Sequence, residues 1–412
     1  MTVTEIPVAS VRFVKELYPR LREDPQRVEQ FRETLALLPP IAVARDGILV
    51  DGFHRWQAHR LEQRETIAAE YLGNLSDLEI FREACSRNAA GVMMLSARDK
   101  RSDADRLYRM GVRDYAEIAA LLSVTEKTAQ EYARDARRDE KQDQQDRAWD
   151  LWLDCMDQRA IADAISVDQA TVSRWLDAKS KELENASPPE SRQHFDVWSF
   201  ASADGDSAYF GRMPPQVVEN LLWLWTEPGQ VVVDPFAGGG TTIDVAKRMG
   251  RRVWASDLRP ATPTLPIHAH DITAGWPDGA PRKADLIILD PPYWRQAAGR
   301  YSQDPADLAN MSLDGFYKAW QDVLTACAGH LSDRGRIAWI ISPTQCDDGT
   351  VVDHAADMIV AQHTTVPALQ MRVERRIIVT YQTQQATGQQ VEWARRERKL
   401  LKLYRDLVVI SR

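Results

Sequence analysis

The sequence predicts a mixed α/β protein in which a C-terminal doubly wound parallel sheet follows a small α+β domain and an all-α helix-turn-helix region. Three observations predict it. Two apolar runs, Val231-Val-Val233 and Ala284-Asp-Leu-Ile-Ile-Leu289, each lead into a carboxylate, and the first continues as the glycine turn Asp234-Pro-Phe-Ala-Gly-Gly-Gly-Thr-Thr242 opening a helix. Strand, turn and helix in that order build parallel sheets. Upstream, Ile118-Ala119, Ser123-Val124 and Thr128-Ala129 recur at a constant offset as Ile161-Ala162, Ser166-Val167 and Thr171-Val172. Near the start, Asp46-Gly47 separates the apolar runs Ile41–Ala44 and Ile48–Val50, which favours a hairpin with a type I′ turn.

The first domain is expected over residues 1–92. After the hairpin, Asp51-Gly-Phe-His-Arg-Trp-Gln-Ala-His-Arg60 enters a helix, where Gly52 admits close backbone approach and Arg55 stands at the helix start, a layout suited to an anion. The string Gly52, Arg55, Ala58 resembles the Gly-x-x-Arg-x-x-Ala motif shared by ParB-type partition proteins and sulfiredoxins. That resemblance implies nucleotide phosphate at Gly52 and Arg55. Phe53 stands where sulfiredoxin chemistry needs a cysteine, and Ser86-Arg87-Asn88 is short of the partition family's arginine-rich phosphate motif. A DNA-positioning or dimerisation module is the other reading.

The repeat occupies residues 93–178. Each copy has a helix, a turn at Ser-Val and a second helix opened by a small polar residue, with Ala119 and Ala162 where helices cross. The second copy's recognition helix exposes Asp168, Gln169, Thr171, Ser173 and Arg174; Gln and Arg suit base edges, Ser and Thr suit phosphates. The first offers Thr125, Lys127, Gln130 and Arg134. Helical pairs used only for packing are the competing reading. Residues 179–193, with Pro188-Pro189, have linker composition.

The last domain is expected over 194–412. Gly238, Gly239 and Gly240 form a turn that admits a cofactor where a Cβ would clash, beside Pro235, Phe236, Thr241 and Thr242. A second strand, Arg252–Asp257, ends in a carboxylate placed for ribose hydroxyls, and Asp271-Ile272 follows at the next strand end for an adenine ring. Phe210 and Met213 precede a helix and could close over the cofactor's other end. In Asp290-Pro-Pro-Tyr293, the Asp290 carboxylate and the Pro291 carbonyl provide two acceptors for the N–H bonds of an exocyclic amine. Pro292 stiffens the turn, and Tyr293 stacks on the base. Trp294, Arg300 and Tyr301 are candidates for the base pocket, or else loop packing.

These residues resemble the amino-group DNA methyltransferases, acting on adenine N6 or cytosine N4, and the resemblance covers His194 to the C-terminus. It implies a Rossmann-like methyltransferase domain, S-adenosyl-L-methionine as cofactor and a base flipped out of duplex DNA. Asp at the first motif position favours adenine over cytosine. A DNA-binding regulator or nucleotide-gated clamp, with methylation secondary, is the alternative from another class.

A net charge of −8 argues against coating nucleic acid through bulk electrostatics. Clusters such as Arg395–Arg405 still offer a local basic face. Four scattered cysteines suggest neither zinc nor disulfides, and no metal is expected. No apolar run is long enough to span a membrane, so a cytoplasmic location is expected, and the paired modules suggest a homodimer.

Overall fold

The computed structural model describes residues 3–22, 24–89, 94–200, 213–260, 264–296, 303–304, 307–346, 350–365, 371–381 and 387–412. The chain divides into two compact units, Met1–Gln144 and Gln145–Arg412. The boundary falls inside one helix, not at the proline-bearing linker. The two repeat copies therefore belong to different units, where the sequence suggested one helical region.

The first unit has a four-stranded sheet in the order β1-β4-β2-β3, built from β1 (Val3–Pro7), β2 (Ile41–Val43), β3 (Leu49–Asp51) and β4 (Thr66–Tyr71). β2 and β3 form the expected hairpin. Asp46 (φ 53°) and Gly47 (φ 71°) are both left-handed, and Ile48 N donates to Arg45 O at 3.0 Å, which is type I′ geometry. Gly47 is doubly required, because a Cβ there would meet Ser10 O at 2.2 Å. Helices α1 (Pro25–Glu33) and α2 (Phe53–Leu61) are followed by α3 (Asp77–Ala89), α4 (Ala97–Arg109), α5 (Tyr115–Leu122) and α6 (Glu126–Tyr132). Asp24 caps α1 ahead of Pro25, and a Ser96/Asp99 capping box starts α4. Ile118, Leu122 and Ala129 of the first repeat copy are fully buried in one cluster with Phe81 and Leu107.

Helix α7 (Arg134–Leu153) carries the mixed-charge run expected of a connector and crosses the unit boundary. In the second unit, α8 (Gln158–Ile165) and α9 (Gln169–Glu184) form the second copy. Its small cluster of Ala148, Ile161, Ala162, Ile165, Val172 and Leu176 is separate from the cores flanking the sheet. The copies match closely: Asp114 and Asp157 cap their first helices, Ser123 (φ 49°) and Ser166 (φ 57°) make left-handed turns, and Thr125 and Asp168 cap the second helices.

The remainder comprises β5 (Val197–Phe200), α10 (Pro215–Trp225), β6 (Val231–Asp234), α11 (Thr241–Arg248), β7 (Arg252–Asp257), β8 (Ile267–Ala269) and β9 (Ala284–Leu289). It continues through α12 (Leu313–Gly329), β10 (Leu331–Ile341), β11 (Thr344–Gln345), β12 (Val351–Val352), α13 (His354–Thr365), β13 (Arg372–Tyr381), α14 (Gly388–Arg396) and β14 (Tyr404–Ser411). The sheet order is β5-β13-β14-β10-β9-β6-β7-β8. β8, β7, β6, β9 and β10 run parallel, as expected. β14 differs: it lies antiparallel between β10 and β13. The Arg395–Arg405 run is accordingly divided. Its helix stops at Arg396, and Arg405 belongs to a strand.

Alternation assigns the two cores. Val233, Ile287, Leu289 and Trp339 face one side with Phe316 and Trp320 of α12. Val232, Leu286, Ile288 and Ile340 face the other with Val217, Leu221 and Ile243 of α10 and α11. A strand covered on both faces must read as a continuous apolar run, which β6 and β9 do. Among the described residues, no helix is long and apolar enough to cross a membrane.

Candidate active site

Strands after β6 are added in one direction (β7, β8) and strands after β9 in the other (β10), so the order reverses between β6 and β9. Ligands of open parallel sheets bind at the carboxyl ends of strands at such a switch point. Val232 pairs with Leu286 and Val233 with Ile287, so the two motif-bearing strand tips are immediate neighbours. Asp234, Asp257 and Asp290 meet there.

Their environment is charged and poorly hydrated. Asp234 is buried and its pKa is pushed up to about 7, chiefly by loss of water; Asp290 and Asp257 add to the rise, while a Thr242 hydrogen bond and the Phe236 N–H hold it back. Burial raises Asp290 to about 6, opposed by the charge of Arg405 and the Tyr293 hydroxyl, which donates to Asp290 Oδ1 at 3.0 Å. Burial also raises Asp257, although Gly238 N and Arg259 N each donate to its carboxylate at 2.9 Å.

The glycine turn is no phosphate cradle. Phe236 N donates to Asp234, Ala237 N to Ser256 O, Gly238 N to Asp257 and Gly240 N to Ala237 O. With those amides engaged and carboxylates gathered, the site repels an anionic dinucleotide and suits a cationic nucleoside. The residues thus fit S-adenosylmethionine: each Asp257 oxygen retains acceptor capacity for a hydroxyl. Gly240 (φ 80°) serves backbone conformation and packing, since its Cβ would meet Leu265 Cδ1 at 2.4 Å. Thr241 and Thr242 are buried at the start of α11, beside buried Pro235 and half-buried Phe236 and Gly239.

Asp271 is exposed and caps a short turn, accepting from Thr273 N and Oγ1 on Oδ1. Ile272 and Met213 are core residues, so they underlie the cleft where the sequence suggested ligand contact. Phe210, Arg300 and Tyr301 lie outside the described residues. Trp294 is corrected from base-pocket candidate to packing residue: it is 4% exposed, donates from Nε1 to Met311 O at 2.9 Å and packs edge-on against His354. Pro291 is buried and Pro292 half-buried, as a rigid turn requires.

Sequence reasoning missed three groups on the β10–β14 side. Arg405 lies 5.6 Å from the Tyr293 ring centre and acts electrostatically on Asp290. Lys402, held near pKa 8 by burial and by Arg405, donates to Gln296 Oε1 and Pro343 O. Gln296 Nε2 donates to Ser342 O, Pro343 O and Thr344 Oγ1, tying the turn after β9 to the end of β10. Arg405 could have been found only by placing β14.

The N-terminal phosphate candidate is arranged otherwise. Arg55 pairs with Asp51 at 2.7 Å and donates to Pro39 O and Pro40 O. Gly52 (φ 98°) makes room for that fold-back, because a Cβ would stand 2.7 Å from Ile41 Cγ2 and 2.9 Å from Arg55 Nε. Arg87 is likewise taken by Glu70 and Glu83. Gln169 and Arg174 on α9 are exposed, as expected, with Thr171 and Ser173 half-buried; Arg174 donates to Thr171 Oγ1 at 2.8 Å. Among the described residues, no cluster of three potential metal ligands occurs.

The family model described as "DNA methylase" matches residues 94–261, a span that includes the glycine turn and Asp257 and ends before Asp290. Over that span the chain is similar to DNA methylases. It is 28% identical over 120 residues to the Type II methyltransferase M.BglII of Bacillus subtilis, covering 28% of this chain and 32% of that protein. It is 36% identical over 67 residues to the Type II methyltransferase M2.DpnII of Streptococcus pneumoniae, covering 15% and 25%. The chain thus spans about a third or less of these relatives' lengths. Among solved structures, a C-terminally truncated chromosome-partitioning protein ParB from Caulobacter crescentus, complexed to the centromeric parS site, matches at 20% identity over 32% of this chain and 70% of that one, with a TM-score of 0.26. The relationship to the methylases supports the expected cofactor, S-adenosylmethionine.

Proposed function

We propose that this protein is an S-adenosylmethionine-dependent DNA methyltransferase acting on an exocyclic amine, with N6 of a flipped-out adenine as the target. The observation that carries the reading is the juxtaposition of Asp234, Asp257 and Asp290 at the switch point of the sheet, with the loop amides already engaged.

The bound cofactor supplies an electrophilic methyl group on a sulfonium. The chain's residues supply everything else. Asp257 accepts from ribose hydroxyls, and the buried negative charge of Asp234 and Asp290 favours the cation. Asp290 and the Pro291 carbonyl accept the two N–H bonds of the amine, so its lone pair leaves the ring's conjugation and becomes nucleophilic. Tyr293 orients Asp290 through its hydroxyl and offers its ring to the base. Once the amine carries its methyl group, Asp290 would take the surplus proton at a carboxylate oxygen and pass it to solvent. Flipping costs a few kcal/mol, offset by stacking and edge contacts.

The test is incubation of duplex DNA with methyl-labelled cofactor and nucleoside analysis of the product. Label in N6-methyladenine is expected; label only in N4-methylcytosine moves the target to the other amine, and no label in DNA overturns the reading. The homodimer belongs to the same proposal, checked by light scattering.

A further inference from the structure

A hydrogen-bond chain outside the proposed reaction reaches the turn after β9. Its centre is His354, the first residue of α13, which is fully buried. Both ring nitrogens are engaged: Nδ1 lies 3.1 Å from the Tyr317 hydroxyl, and Nε2 lies 2.9 Å from Thr344 Oγ1. Trp294 and Phe316 meet the ring edge-on, with centres 5.6 and 5.7 Å away, so its plane is fixed. Burial holds its pKa down at about 4, opposed by Asp357 and Asp353 and assisted by Lys402, so the imidazole is neutral and carries one hydrogen.

The bonding pattern assigns that hydrogen. Tyr317 donates to the Asp357 carboxylate at 2.7 Å, a charge-assisted bond, which leaves its oxygen facing His354 as an acceptor. Nδ1 therefore holds the hydrogen and Nε2 accepts. Thr344 has one hydroxyl hydrogen and two acceptors in reach, Nε2 at 2.9 Å and Trp294 O at 3.2 Å. With the hydrogen on the shorter contact, an Oγ1 lone pair remains for Gln296 Nε2, which donates to it at 3.1 Å. Lys402 holds the other end of the same amide. Trp294 and Gln296 are the first and third residues after Tyr293. Asp357, Tyr317, His354 and Thr344 thus run in line from the surface of α13 to the segment that follows Asp290-Pro-Pro-Tyr293.

We propose that His354 is a positioning residue for the Asp290–Tyr293 turn, fixing it through the bond from the Thr344 hydroxyl to Nε2. This rests on the methyltransferase reading for what the turn does, but not for its hold on the turn. Asp234 and Asp257, on β6 and β7, lie outside the relay. Its loss should therefore appear in the rate of transfer and not in cofactor affinity.

The experiment compares His354→Asn, His354→Gln and Thr344→Val in the full chain. An Asn amide reaches where Nδ1 stands, whereas a Gln amide reaches where Nε2 stands and restores an acceptor for Thr344. Thr344→Val is nearly isosteric and removes only the hydroxyl, so it decides the matter if H354N fails to fold. Single-turnover methyl transfer should fall about tenfold or more in H354N and T344V, with cofactor affinity by calorimetry within about twofold of wild type. H354Q should keep transfer within about threefold, and H354N/T344V should lose little more than H354N alone, because both changes break one bond. Equal losses in H354N and H354Q, or wild-type transfer in T344V, overturn the assignment and leave His354 a packing residue. If wild type transfers no methyl group to DNA, the function proposed above fails, and the hold on the turn is read from hydrogen exchange. The amides of Arg295 and Gln296, bonded to Ala309 O and Trp294 O, should exchange about tenfold or more faster in H354N and T344V than in H354Q. Equal exchange in the three variants overturns the assignment by itself.

Discussion

Two glycines begin helices in the left-handed conformation, Gly52 ahead of α2 and Gly240 ahead of α11, and from sequence both suggest ligand loops. Their charge economies differ. The arginine beside Gly52 is matched, Arg55 by Asp51 and two carbonyls, as is Arg87 on α3 by two glutamates. Around Gly240, carboxylates are crowded together with little water, and burial holds Asp234 and Asp290 well above their ordinary range. A matched set stabilises the fold. A desolvated set with carboxylates in excess is a strain that a further cation relieves, and it marks the candidate site.

The sharpest way to break this contrast is Asp290→Ala, expected to lower methyl transfer by about 10²–10³-fold or more in a single-turnover assay, while thermal unfolding stays at or above wild type. A variant that loses activity only because it unfolds would refute it.

Next is Gly52→Ala, which meets Ile41 and Arg55 at left-handed φ and should cost about 1–3 kcal/mol in denaturant unfolding. Gly240→Ala should cost less, because the obstructing atom is the end of the flexible Leu265 side chain. Equal losses at both positions would remove the distinction.

Arg55→Ala leaves Asp51 and two carbonyls short of a partner, worth about 1–3 kcal/mol. Nucleoside triphosphate should not raise the melting temperature of wild type. A rise that Arg55→Ala abolishes would restore a phosphate site.

The acid cluster also sets a pH dependence. Asp234 and Asp290 bind protons more readily folded than unfolded, so their contribution to stability grows as pH falls from about 7 towards 4 and is lost as pH rises through their folded values. In the double variant D234N/D290N this part of the melting profile should flatten. Cofactor binding should run the other way, strengthening as pH rises through 6 to 7, by calorimetry.

The smallest effect expected is for Ser166→Gly, which removes a left-handed serine from the second repeat turn and should stabilise by about 1 kcal/mol or less.

Local chemistry explains what was legible in the sequence. Asp46-Gly47, the turns at Ser123-Val124 and Ser166-Val167, and the apolar β6 and β9 declare themselves within a few residues. What the chain hides is who meets whom. Trp294 looks like a pocket wall until its indole is seen bonded to Met311 O, and Arg55 looks free until the carbonyls of Pro39 and Pro40 turn toward it. β14 carries the charged pair Arg405-Asp406 directly after its first residue, Tyr404, so its apolar half, Leu407–Ile410, is too short to announce a central strand.

That strand governs assembly. Among the described residues, β13 and β5 reach the rest of the sheet only through β14, so eight residues, Tyr404–Ser411, hold two other strands in place and bring Arg405 beside Tyr293. A ribosome must emit them before the sheet can close, and until then the flank of β10 is an open, sticky edge. The nascent chain therefore depends on this strand, made after β10 and β13, to close its sheet and become inert to aggregation.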